Sequence, residues 1–250
     1  MARYNFKMQR LFIDHPLEGG GEITLDKNQS NYLVNVLRMK IDDEVLVFNG
    51  RDGEWRAQLL NASKKATVLA LNEKVRSQTK PSSLDYCFAP LKHARLDYMV
   101  QKAVEMGVGR LRPVITAHTQ STRINLDRMH ANVIEAAEQC GVLSLPEVLE
   151  PVKLNALLDA WPEQDGDRAL IFCDEGIERD DPVTLLQRIK VERQAVLIGP
   201  EGGFSEEERD LLKSQDFVTS IPLGPRILRA DTAAVAALSL VQASIGDWQS

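Results

Sequence analysis

The sequence predicts an α/β chain in two parts, a small β-barrel followed by a domain with a mainly parallel sheet. Three observations carry that expectation. Up to about residue 76 the apolar runs are short and separated by turn residues; from residue 84 strand and helix patterns alternate; and a polar, proline-containing stretch, 76–83, lies between. At 250 residues with 44% hydrophobic and 26% charged residues, the chain has ordinary globular composition and length for two domains.

In the first part, Arg10–Ile13, Ile23–Leu25, Val45–Phe48, Trp55–Leu60 and Thr67–Leu71 read as strands. Asn49-Gly50-Arg51-Asp52-Gly53 joins the third and fourth as a hairpin. One helix, Gln29 to Met39, is expected among them, with Tyr32, Leu33, Val36 and Leu37 on one face. In the second part, strands are expected at Leu84–Ala89, Leu111–Ala117, Ala169–Cys173, Ala195–Ile198 and Val218–Ile221. Helices are expected at Ala94–Met106, Leu126–Cys140, Leu154–Ala160, Val183–Ile189, Glu206–Lys213 and Ala233–Ser244.

Composition excludes several functions. The three cysteines are too scattered for a disulfide framework or a zinc site, and the four histidines form no ligand-spaced pair, so no metal is expected. The opening MARYNFKMQRLFIDHP has no continuous apolar core of a secretory signal, and no later run is long enough for a bilayer. A cytoplasmic protein is expected. The net charge of −6 hides an asymmetry. Residues 1–80 hold 13 basic and 10 acidic residues, a net of +3, among them Arg3, Lys7, Arg10, Arg38, Lys40, Arg51 and Arg56. A mildly basic N-terminal part permits nucleic-acid contact.

In parallel sheets ligands sit beyond the carboxyl ends of the strands. Three loops qualify: Cys173–Gly176, Gly199–Gly203 and Pro222–Arg226. The second, within LIGPEGGFSEEERDLL, has neither a dinucleotide nor a P-loop fingerprint. Three glutamates open the following helix and would repel a phosphate, and Ser205 with Glu208 spells a capping box. The glycines therefore suit close approach to an uncharged or cationic ligand.

LIGPEGGFSEEE followed by IPLGPRILRADTAAVAAL resembles the C-terminal signature of the RsmE family of 16S rRNA uridine-N3 methyltransferases, in the SPOUT superfamily. LKHARLDYMVQKAVEMGV, EAAEQCG, QRLFID and NYLVNVLRMK extend the resemblance over nearly the whole chain. It implies a PUA-like, RNA-binding β-barrel (1–76) and a SPOUT domain (82–250) with a trefoil knot at about 169–240. It also implies S-adenosylmethionine (SAM) as cofactor, 16S rRNA in the 30S subunit as substrate, and a homodimer. Carried over by position, Ile198, Gly199, Pro200, Gly202 and Gly203 form one wall of the cofactor pocket. Leu223, Gly224, Ile227 and Leu228 form the other, with Cys173, Asp174, Thr232 and Ala233 beside them. Arg229 is expected to stabilise negative charge on the uracil, and Glu201 to act as base or orient the substrate. Arg10, Arg38, Lys92, Arg95 and Arg226 are expected to contact RNA. Tyr32, Asp42 and Val142 depart from residues common in the family, and Arg229-Ala230-Asp231-Thr232 replaces its Arg-Thr-Glu-Thr. Asp231 or Thr232 is expected to cap the last helix. The alternatives are a SPOUT ribose 2′-O-methyltransferase and a non-catalytic RNA-binding protein.

Overall fold

The computed structural model describes residues 8–177 and 180–249, with His93 described by its backbone alone. Arg3 and Lys7 lie outside the described residues. The chain forms two compact units: residues 1–80 with 137–145, and residues 81–136 with 146–250. A single change of rhythm near residue 80 does not reveal that 137–145 belongs with the first.

The first unit is a curled, mixed sheet of five strands in the order β1-β3-β4-β5-β2. These are β1 (Arg10–Phe12), β2 (Glu22–Thr24), β3 (Glu44–Phe48), β4 (Glu54–Leu59) and β5 (Val68–Arg76). The expected hairpin pairs β3 with β4, Val47 opposite Trp55. Leu33, Val45, Val47, Leu59 and Leu69 fill its core. The helix expected from Gln29 to Met39 is shorter and irregular. A five-residue helix α1 (Lys27–Asn31), capped by Asp26, passes into a π-turn at Tyr32–Val36. Leu33 is buried and Leu37 packs on the core, but Tyr32 and Val36 face solvent, because the widened turn breaks the 3.6-residue period. Asp42, expected to depart from the family, has φ +73°, a backbone setting that favours glycine and that aspartate tolerates.

The second unit holds β6 (Leu84–Phe88), β7 (Arg110–Ile115), β8 (Glu147–Val148), β9 (Val152–Lys153), β10 (Arg168–Cys173), β11 (Arg193–Ile198) and β12 (Val218–Ile221). All pair in parallel, in the order β12-β10-β11-β6-β7-β8, with β9 also on β7. Every residue of β6 and β10 is buried, the near-continuous burial of a sheet covered on both faces. The helices are α2 (His93–Glu105), α3 (Leu126–Cys140), α4 (Leu154–Gln164), α5 (Pro182–Gln187), α6 (Glu206–Lys213) and α7 (Ala230–Ile245). After β11 the chain steps back across β10 to β12, then returns through α7, which packs on α2 and α5. That doubling back brings the loops after β10, β11 and β12 together, in the region where the resemblance places the knot. The last helix starts earlier than expected, at Ala230. Arg229 rather than Asp231 or Thr232 is its N-cap residue. Among the described residues no helix is long and apolar enough to cross a membrane.

Candidate functional site

Three strand ends lie side by side, since Phe172 pairs with Leu197 and Cys173 with Ile221. Their loops enclose a cleft of about 760 Å³, lined by residues 173–175, 177, 198–203, 222–230 and 233. Of the expected pocket residues, Cys173, Ile198, Gly199, Pro200, Gly202, Gly203, Leu223, Gly224, Ile227, Leu228 and Ala233 line it. Thr232 does not. It points to solvent from the first turn of α7, because the helix begins two residues before it. Asp174, also expected beside the pocket, lines it too, as do Glu201, Arg226 and Arg229; Glu175, Ile177, Pro222, Pro225 and Ala230 complete the lining. Pro222, Pro225 and Ala230 fall inside the IPLGPRILRADTAAVAAL motif, whereas the only sequence signal for Glu175 and Ile177 is adjacency to a strand end.

The glycine-rich joint is shaped partly by protein neighbours. A Cβ on Gly199 would lie 2.5 Å from the Phe204 ring, which itself stands edge-on to Phe172 at 5.1 Å. The Phe204 ring thus leaves room only for a glycine at this point of the cleft wall. The predicted capping box is present: Ser205 Oγ accepts from Glu208 N at 3.2 Å, and Glu208 Oε2 accepts from Ser205 N at 3.0 Å.

Asp174 is 1% exposed, and its carboxylate is spoken for. Arg209 reaches it at 2.7 Å and Lys213 at 2.8 Å, both from α6, and Gly176 N donates at 2.9 Å. Burial opposes the charge, yet the Lys213 hydrogen bond, the Gly176 N–H and both cations hold Asp174 below the usual carboxylate range. Arg209 also pairs with Glu175. Cys173 is a buried thiol whose ionisation burial suppresses, so it lines the cleft as a small apolar group.

The rim of the cleft is different. Arg226 and Arg229 are exposed, and among the described residues neither forms an ion pair. Arg229 sits at the N-cap of α7 without a capping side-chain hydrogen bond. A helix N-terminus carries partial positive charge, so a cation there lies where the backbone disfavours it. Asp231, nearby, has its Oδ1 taken up by Thr232 N at 2.9 Å. Glu201 pairs with Arg95 on α2, so two residues expected to meet substrate also meet each other.

The remaining expected RNA contacts divide. Lys92 and Arg38 are exposed; Arg38 holds φ +57°. Arg10 is a correction: it is 4% exposed and structural. Its Nε donates to Glu54 at 2.6 Å, its Nη1 to the carbonyls of Ala137 and Glu138, and its Nη2 to Val142 O at 3.2 Å. It thereby satisfies carbonyls at the end of α3, a position that favours a cation, and it is shielded from any phosphate. Among the described residues no cluster of three or more metal-ligating side chains forms.

A family model for an RNA methyltransferase domain matches residues 78–242, and one for an RNA methyltransferase PUA domain matches residues 25–70. The ribosomal RNA small subunit methyltransferase E of Rickettsia conorii is 29% identical over 238 residues, 94% of this chain and 96% of its own length. A putative methyltransferase of Legionella pneumophila, solved with bound SAM, is similar at a TM-score of 0.80 and 30% identity, covering 94% of this chain and 97% of its own. A ribosomal RNA small subunit methyltransferase E of Neisseria gonorrhoeae, solved with S-adenosyl methionine, reaches 0.79 and 26% over 96% and 99%.

Proposed function

The chain belongs to the RNA methyltransferase family, in its ribosomal RNA small subunit methyltransferase E branch, and on that premise we propose that it methylates N3 of a uridine in 16S rRNA with SAM as donor. The observation that carries this reading is the pair of unpartnered arginines, Arg226 and Arg229, at the rim of a cleft whose acidic lining is already neutralised.

The cleft suits SAM. Its volume lies within the range of small-molecule sites, apolar side chains and loop backbone make up much of its wall, and no lysine lines it to hold a phosphate. Leu223, Ile227 and Leu228 supply apolar surface for adenine, with Gly199–Gly203 opposite. When bound, SAM supplies a methyl group on a good leaving group. The chain must then place a uracil in line and stabilise the charge left as N3 loses its proton. Arg229 is suited to the uracil carbonyl oxygens, as electrostatic stabilisation of a developing anion. Such a reaction asks more for a cation than for a strong base, which fits carboxylates at Glu201 and Asp231 that are both engaged.

Arg38, Lys92 and Arg226 are proposed to contact RNA phosphates, which fix register rather than sequence. The substrate is taken to be the 30S subunit, the active form a homodimer, and the setting the cytoplasm. The test combines purified protein, SAM and 30S subunits lacking their native methylation, followed by nucleoside mass spectrometry. The expected product is 3-methyluridine, dependent on both protein and SAM. A ribose-methylated nucleoside would replace N3 by a 2′-hydroxyl as target, and no product with no SAM binding would remove the enzyme reading. Light scattering of the free protein tests the dimer.

A further inference from the structure

The turn after β7 lies outside every motif above, yet it meets the cofactor loop and the helix that follows it. Thr116–Thr119 is a closed turn: Thr116 N donates to Thr119 Oγ1 at 2.9 Å, and Thr119 N to Thr116 O at 3.1 Å. From this turn Ala117 N donates to Glu208 Oε1 at 2.7 Å, while the other oxygen of Glu208 caps Ser205 N. His118 Nδ1 lies 3.1 Å from both Gly202 O and Gly203 O.

Both of those partners are carbonyls, which only accept, so Nδ1 must carry the proton. The tautomer is thereby fixed, and the contact persists whether the imidazole is neutral or charged. Gly202 fits beside it because a Cβ there would come within 3.3 Å of His118 Cβ. The loop between is itself a turn, with Gly203 N donating to Pro200 O at 2.9 Å.

We propose that His118 is a positioning residue: its Nδ1–H pins the carbonyls of Gly202 and Gly203 from outside the cleft and sets the loop that forms one cofactor wall. The proposal rests on the cofactor reading above for its effect on SAM, and on geometry alone for its effect on the loop. His118 does not itself line the cleft. Pre-setting a loop lowers the ordering cost of binding, so its loss appears in affinity rather than in the chemical step.

The experiment compares His118→Leu with His118→Asn, whose Nδ2 falls where the imidazole Nδ1 lies and restores a donor. In ligand-free protein, hydrogen exchange at 199–208 should quicken in the leucine variant and stay as in the parent for asparagine. By calorimetry, His118→Leu should weaken SAM binding about fivefold to tenfold, the worth of one hydrogen bond, with kcat at saturating SAM held within about twofold. His118→Asn should recover most of the affinity. Unchanged exchange in His118→Leu overturns the proposal, as does equal loss in both variants, which would assign the effect to packing. If the parent binds no SAM, the cofactor reading falls, and the exchange data still decide whether His118 pins the loop.

Discussion

The arginines clustered at one end of the parallel sheet and the two at the rim of the cleft at its other end are handled in opposite ways. At the amino ends of its strands, Asp85 and Asp165, each 1% exposed, meet Arg110, Arg112 and Arg168. Arg110 Nη2 stands 2.6 Å from a carboxylate oxygen of each aspartate, and Arg168 also donates to the carbonyls of Ser83 and Gln194. At the carboxyl ends, Arg226 and Arg229 stay exposed with no ion pair among the described residues. At the amino ends charge is closed upon itself and holds strands together; Arg226 and Arg229 are left open, as the substrate contacts proposed for them require. The perturbed groups at the amino end are therefore structural, despite the usual association of such groups with active sites.

The largest effect should come from opening the closed end. Asp165→Ala leaves three arginines facing one aspartate in a buried setting, and should destabilise the protein by about 3–5 kcal/mol in urea unfolding. The folded fraction should keep its SAM affinity, since the strand ends that bear the cleft are at the other edge of the sheet. A loss under about 1 kcal/mol would mean that the network contributes no more than a surface pair, and the contrast between the ends would fail.

The converse variant is Arg229→Ala. Its turnover should fall by about a hundredfold or more, as for loss of one anion-stabilising donor, with SAM affinity and melting temperature unchanged. The same substitution removes a cation from a helix N-terminus, so any change in stability should be a small gain. Lost stability with intact turnover would reverse the assignment of the two ends.

Acid probes the two ends differently. Burial keeps the Asp85 carboxyl above its ordinary 3.8 in spite of its arginines, whereas Asp165, buried too but bonded by Arg110 and Arg112, lies below. Their contributions to acid sensitivity oppose each other. Asp174 beside the cleft has no such counterpart: it is lowered from 3.8, so its stabilisation is present above that value and is lost as pH falls through the folded-state value. Asp174→Asn should flatten the fall in melting temperature below pH about 4. A profile as steep as the parent's would assign the acid loss elsewhere.

Much of this was legible in the residues. Segments such as Leu126–Cys140 and Glu206–Lys213 form where expected, because the helical spacing of apolar residues or a capping box fixes them locally. The cleft was legible through strand ends and the family motifs. What stayed hidden depends on contacts distant in sequence. Arg10 reads as a basic surface residue until the carbonyls of residues 137–142 are seen around it. His118 carries no motif, since its partners are carbonyls whose identity no side chain announces. The π-turn at Tyr32–Val36 hides because one extra residue per turn leaves composition unchanged.

The smallest expected effect sharpens the comparison most finely. Asp167 is two residues from Asp165 and shares Arg193 with it: Arg193 Nη1 is 2.7 Å from Asp167, and its Nη2 is 4.0 Å from Asp165. Asp167 is 64% exposed at its side chain, where water screens the pair and both side chains lose freedom by making it. Asp167→Asn should therefore leave the urea midpoint unchanged within error, although it deletes the same charge from the same end of the sheet. If it matched Asp165→Ala, the count of carboxylates opposing the arginines would decide stability. If it is silent, burial decides, and the closed network is defined by the carboxylates that water cannot reach.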